Sequence, residues 1–238
     1  MDERIYQDLL RDWHAANEAF THSRRQGEHK RTGTWEEQFT TMQAEMDAMW
    51  AAGQWFSGPS NLLAVIGRQR HETYHSAILA WLLDPGAPHG LFTSFFEAMF
   101  RRLWPEMAVD PVTLRGAITS TEVVKDNCRA DIVIWAAGAM IVIEVKVDAG
   151  ERGDQCNDYY RVFSRDSDDV RFAFLTPDGR KPDSATEEDA AKAFCRWSFR
   201  QIKEDLRALL ASEAMQKSTA PGLPAVRTYL QTLEVEFP

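Results

Sequence analysis

Two short stretches carry residue types that could do chemistry. His71-Glu72-Thr73-Tyr74-His75 has the H-E-x-x-H pattern. On a helix that pattern brings two imidazoles one turn apart around a zinc ion and offers the glutamate as general base. The second stretch, RADIVIWAAGAMIVIEVK from Arg129 to Lys146, sets Asp131, Glu144 and Lys146 around two β-branched runs. Ile132 to Trp135 and Met140 to Val145 are apolar on both faces, as strands in the middle of a buried sheet are. A hairpin closing symmetrically on Ala137-Gly138 sets Asp131 opposite Glu144. A similar hairpin centred on Asp126-Asn127 sets Glu122 opposite Asp131. Three acids then stand in a row across three strands.

Such a row is costly unless something answers it. Directly opposed Cβ atoms sit about 4.5–5.5 Å apart, and at an effective dielectric near 20 two carboxylates about 5 Å apart repel by roughly 3 kcal/mol. A divalent cation turns that repulsion into coordination, and Mg²⁺ favours one or two carboxylates completed by waters and phosphate oxygens. Lys146, two positions after Glu144, projects from the same face about 7 Å along the strand. A metal, an ammonium and room for a phosphate make a workable hydrolytic site. Two other readings stay open. Glu144 and Lys146 could simply begin the polar end of a strand, and a register slip of one residue would send Glu122 to the opposite face. Against zinc at the first stretch, Arg70 would place its charge beside the metal. Ile78 and Trp81 stand where the elongated motif needs a glycine and a third histidine. Glu97, 22 residues past His75, has the spacing of a third ligand, so a zinc peptidase remains an alternative.

The elements that must position these residues are legible from periodicity. Ile5, Leu9, Trp13, Ala16 and Phe20 have helical spacing, and Thr34-x-x-Glu37 has the form of a capping box opening a second helix. Trp35, Phe39, Met42, Met46 and Met49 then recur at 4-3-4-3 spacing, as along a coiled-coil seam. Between them THSRRQGEHKRTG, with Arg24, Arg25, Lys30 and Arg31, reads as a solvated or phosphate-contacting loop. Residues 1–57 are thus expected to form a helical hairpin or extension, and residues 58–238 the main domain, beyond SGPSN. Helices are expected over about 62–83 and 91–103. Strands follow in AITSTEVV, ADIVIW and MIVIEVK, then a helix over 151–165, a strand in VRFAFLT, and helices over 198–212 and 222–234. A β-meander followed by helix, strand and helices gives a three-layer α/β or α+β core.

Bulk composition adds exclusions. At 44% apolar and 26% charged residues the chain has a globular make-up. The longest apolar run, Ile132 to Ile143, is too short to span a bilayer. MDERIYQDLL lacks the basic-then-apolar layout of a signal peptide, and Cys128, Cys156 and Cys195 are scattered, so a cytoplasmic protein is expected. A net charge of −9 argues against broad electrostatic binding of nucleic acid but leaves room for a local basic groove.

Asp131, a hydrophobic hairpin and then Glu144-Val145-Lys146 resemble the signature of the PD-(D/E)xK nuclease superfamily. Gln155 and Tyr159 resemble the Q-x-x-x-Y found after it in several branches. ETYHSAILAWLLDPGAPHG and FLTPDG resemble segments of one bacterial branch of mostly unassigned role. The resemblance covers roughly residues 60 to 210. Val145 departs from that branch's usual asparagine, and Arg129-Ala130 stand where the signature has a proline. The resemblance implies a restriction-endonuclease-like mixed sheet flanked by helices. It implies a DNA endonuclease that uses Mg²⁺ or Mn²⁺ in defence against foreign DNA, as a homodimer or a subunit of a larger complex, with no membrane association. Asp131, Glu144 and the Val145 carbonyl would hold the metal. Lys146 would orient or deprotonate the water, Gln155 would position Lys146 or the phosphate, and Glu72 would hold a second metal or a metal-bound water. A catalytically silent nucleic-acid-binding or assembly subunit is the second reading.

Overall fold

The computed structural model describes residues 3–54, 58–107, 110–136 and 138–238. The chain divides into two compact units, Met1–Gly58 and Pro59–Pro238. The first holds α1 (Glu3–Ala51). The second opens with α2 (Leu62–Val65), α3 (Glu72–Leu82), α4 (Ser94–Leu103) and α5 (Pro111–Leu114). Next come β1 (Ile118–Lys125), β2 (Cys128–Ala136), β3 (Ala139–Val145), α6 (Gln155–Phe163) and β4 (Asp169–Thr176). It closes with α7 (Glu188–Ala193), β5 (Phe194–Ser198), α8 (Phe199–Ala211), α9 (Glu213–Gln216) and α10 (Leu223–Glu236).

The N-terminal unit is one helix of 49 residues, not the expected hairpin. Arg, Gln, Glu and Lys in the expected loop are good helix formers and no proline interrupts them. Gly27 and Gly33 weaken the helix by about 1 kcal/mol each without ending it. Thr34 and Glu37 lie mid-helix, so their capping-box spacing marks no start. Thr21, Thr40 and Thr41 donate their hydroxyls to the carbonyls of Asn17, Glu36 and Glu37, four residues back, as mid-helix threonines do. A lone helix has nothing in its own unit to cover its apolar stripe, and Trp13, Phe20, Trp35 and Phe39 are each at least 60% exposed. The side chains of Ile5, Lys30 and Arg31, and Ser57 at the expected boundary, lie outside the described residues.

In the second unit five strands pair in the order β1-β2-β3-β4-β5. The first three are antiparallel, and β3, β4 and β5 are parallel, so the sheet is mixed. Val123 pairs with Ala130 and Ile132 with Ile143, the registers expected from hairpins on Asp126-Asn127 and Ala137-Gly138. Ala137 itself lies outside the described residues, but Asp126 (φ 50°) and Gly138 (φ 88°) take the positive φ that tight hairpin turns need. Ile132, Ile134, Ile141 and Ile143 pack with Leu79 of α3, Phe95 of α4, Ile202 of α8 and Val226 of α10. On the other face Val133, Val142, Phe172 and Phe174 pack with Tyr159 and Phe163 of α6. The result is the helix–sheet–helix, restriction-endonuclease-like α/β arrangement.

Two local differences matter for the site. The expected helix over 62–83 breaks into α2 and α3, because Gly67 turns the chain with φ 65°. His71 therefore caps α3 instead of lying on it. The short parallel strand β5 also went unforeseen; five residues with one exposed cation in the middle show too little alternation to register.

Candidate active site

The apolar ladder between β2 and β3 stops at Ile132↔Ile143. The next facing positions are Asp131 and Glu144. Glu144 is wholly buried. Its Oε1 accepts from Lys146 Nζ at 2.6 Å and from Gln155 Nε2 at 2.6 Å. Its Oε2 is buried and has no hydrogen-bond partner. Asp131 Oδ2 accepts from the Val145 N–H at 2.8 Å, which pins the aspartate against the end of β3.

Two helix starts complete the site. Gln155 opens α6, where its amide also donates to the Tyr159 hydroxyl at 3.1 Å, and Tyr159 donates in turn to the Arg129 carbonyl. The four-residue spacing of Gln155 and Tyr159 is what lets one helical turn tie Glu144 to the start of β2. Glu72 opens α3, where its Oε1 accepts from the N–H groups of Val147 (2.8 Å) and Ala149 (3.3 Å). Its Oε2 stands 3.9 Å from Lys146 Nζ. Glu72 therefore holds the backbone just past Lys146 and shares its ammonium.

The third acid of the expected row is missing. Glu122 has φ 53°, an uncommon conformation for a residue with a β-carbon, and the β1–β2 ladder skips it. Its carboxylate is turned to the surface, 3.6 Å from Arg129 Nη1. Register alone placed it correctly along the strand, but the backbone twist removed it from the face.

Electrostatics reflect the crowding. Burial, followed by the charge of Asp131, pushes the Glu144 carboxyl up to about 7. Burial also raises Asp131, against the Val145 hydrogen bond and Lys146, which hold it down. Burial works to lower Lys146, but Glu144, Glu72 and Asp131 outweigh it and the ammonium is stabilised. These residues line a cleft of about 580 Å³, whose walls include Asp126, Asn127, Arg129 and Arg152. The arginines escaped the motif reading because exposed cations next to a turn carry no periodic signal. The glycines flanking Glu151-Arg152 were the one available cue.

The H-E-x-x-H pair is taken apart by the fold. His75 is fully buried, with Nε2 2.8 Å from the Gln69 carbonyl and Nδ1 3.0 Å from the Tyr229 hydroxyl. A carbonyl only accepts, so Nε2 carries the proton and Nδ1 accepts from Tyr229. Neither nitrogen is left for a metal. His71 is exposed and lies against Arg68. Arg70 forks onto Asp148 at 2.7 and 2.6 Å. Among the described residues no three His, Cys, Asp or Glu side chains gather into a metal cage. An open site with two protein carboxylates suits Asp131 and Glu144 better, and the orphaned Glu144 Oε2 is the atom such a cation would satisfy.

A buried glutamate facing a part-buried aspartate, with one carboxylate oxygen unpartnered and a lysine beside it, is suited to hydrolysing an anionic ester once a cation is bound. Comparison with known families gives that class its name. The model described as PD-(D/E)XK nuclease superfamily matches residues 60–223, and the chain belongs to that superfamily. Its substrate class is therefore nucleic acid and its reaction class hydrolysis. No curated protein and no solved structure matches the chain. No helix among the described residues is long and apolar enough to cross a membrane.

Proposed function

We propose that this chain is a Mg²⁺- or Mn²⁺-dependent endonuclease that cuts DNA in the bacterial cytoplasm as part of defence against foreign DNA. The observation that carries the metal-dependent reading is the buried Glu144 carboxylate facing the part-buried Asp131, with one Glu144 oxygen left without a partner. Asp131, Glu144 and the Val145 carbonyl would hold the cation, which supplies an acidified water and offsets charge on the scissile phosphate. Lys146 holds the attacking water and steadies the charge that develops on phosphate. Gln155 fixes the Glu144 carboxylate in place, and Glu72 fixes the turn after Lys146. The cleft presents Glu72, Asp126, Asp131 and Glu144 against only Arg129, Lys146 and Arg152. Without a cation it repels a polyanion, so substrate binding should itself depend on metal.

DNA is the substrate the resemblance favours. Cutting both strands with one site per chain calls for two copies, and we assign the uncovered stripe of α1 to that assembly. A silent binding subunit is disfavoured because acid, acid and lysine are all in place. Incubation of the protein with labelled single- and double-stranded DNA and RNA, in Mg²⁺, Mn²⁺ or EDTA, tests the reading. Cleavage of a DNA strand in either metal and none in EDTA is expected; cleavage that persists in EDTA contradicts it.

A further inference from the structure

The cleft contains more positive charge than the hydrolytic step uses. Lys146 is already matched by Glu144 at 2.6 Å. Arg129 and Arg152 are not matched in this way. Arg129 is 61% exposed, and its ion pair with Glu122 is a loose 3.6 Å contact between exposed groups, of a kind worth little in water. Among the described residues Arg152 has no side-chain partner; its hydrogen bonds are made by its backbone, the N–H donating to Gln155 Oε1 and the carbonyl accepting from the Gln155 N–H. Elsewhere in the unit Arg70, Arg102 and Arg180 are locked onto Asp148, Asp205 and Glu151.

Their backbones, by contrast, are fixed to the catalytic frame. The Arg152 N–H donates to Gln155 Oε1 at 3.3 Å, while the same side chain's amide donates to Glu144. The Arg129 carbonyl accepts from Tyr159, whose hydroxyl accepts from Gln155. Next to Arg152, the Glu151 side chain is only 6% exposed. It accepts from Arg180 Nη1 (2.6 Å), the Asp183 N–H (3.0 Å), and the N–H and hydroxyl of Ser184 (2.8 and 2.6 Å). Two guanidiniums, one only loosely paired with Glu122 and one without a side-chain partner, therefore stand on backbone anchored through the glutamine that holds Glu144. The planar fork of a guanidinium matches two oxygens of one phosphate.

We propose that Arg129 and Arg152 bind backbone phosphates next to the scissile one and so position the strand across Asp131 and Glu144. The proposal rests on the nuclease reading. It makes the two arginines positioning residues for the substrate, with no part in the bond-breaking step. The test uses the full chain with Arg129→Ala, Arg152→Ala, the double variant and the corresponding lysine variants. The probes are fluorescein-labelled DNA and RNA oligonucleotides of about 20 nucleotides, single- and double-stranded, bound in Ca²⁺ and cut in Mg²⁺ or Mn²⁺.

Each alanine change should weaken binding about tenfold and raise KM in step, with kcat little altered. The slope of log affinity against log salt should fall by about 0.7–0.9 for each phosphate that is no longer neutralised. Lysine should restore the salt slope but only part of the affinity. A double variant that keeps the parent's affinity and salt slope, in a parent that cuts, overturns the phosphate assignment alone. A parent that neither binds nor cuts any probe overturns both the assignment and the nuclease reading.

Discussion

Asp131 and Glu144 crowd two carboxyl groups, one buried and one part-buried, at the end of an apolar hairpin, and substitutions there should separate stability from function. Asp131→Asn keeps an oxygen to accept from Val145 and removes the charge that faces Glu144. It should abolish cleavage while raising metal-free stability at neutral pH by about 1 kcal/mol, a fraction of the roughly 3 kcal/mol of repulsion at 5 Å. Thermal unfolding in EDTA checks the gain. Adding Mn²⁺ should then stabilise the parent and leave the variant unmoved. Gln155→Ala acts one step away, by freeing the Glu144 carboxylate. Removing such a supporting hydrogen bond typically lowers metal affinity or activity about 10–100-fold. A Gln155→Ala enzyme with the parent's rate and metal affinity would leave Gln155 without a role in the site.

At the scale of elements, α3 ties the site to the rest of the fold through His75. Burial lowers the His75 pKa to about 4, and the ring stays neutral between the Gln69 carbonyl and the Tyr229 hydroxyl. The unfolded chain binds a proton near the ordinary value of 6.5, so the unfolded state carries more protons between pH 6.5 and 4. Stability from His75 is therefore complete above about pH 6.5 and declines as pH falls toward 4, by about 3 kcal/mol in all. The stability gap between the parent and His75→Gln should be widest at neutral pH and narrow on acidification across that window. Urea unfolding at pH 7.5 and pH 4 measures it; a gap that does not change with pH would contradict the neutral buried ring. This histidine also shows what sequence could reveal. The β-hairpin registers and the facing of Asp131 and Glu144 followed from β-branched runs closed symmetrically on their turns. Gln155 and Tyr159 stood out only through the resemblance to the superfamily's Q-x-x-x-Y. H-E-x-x-H left a zinc alternative open because spacing says nothing about which ring nitrogens are already bonded, or that Gly67 would make His71 a cap. A single positive φ took Glu122 out of the row, and the loop expected within α1 is helical because helix formers outweigh two glycines.

At the scale of the whole molecule, on our proposal chemistry falls to the unit from Pro59 to Pro238 and assembly to α1, in the other unit. Phe39→Glu together with Met46→Glu, on the exposed seam of the full chain, should reduce the mass seen by light scattering from a multiple of 27.1 kDa to 27.1 kDa. The purified metal centre should be unaffected, and single-strand cleavage should survive. A parent already at monomer mass would end the assembly reading and leave the site untouched. The central claim, hydrolysis at a cation held by Asp131 and Glu144, is tested most directly by single-turnover cleavage of a labelled DNA strand by the parent, Asp131→Asn and Glu144→Gln in Mn²⁺. The parent should cleave, and both variants should be slower by at least about a hundredfold with their melting curves intact. Variants that cut at the parent's rate would contradict the claim.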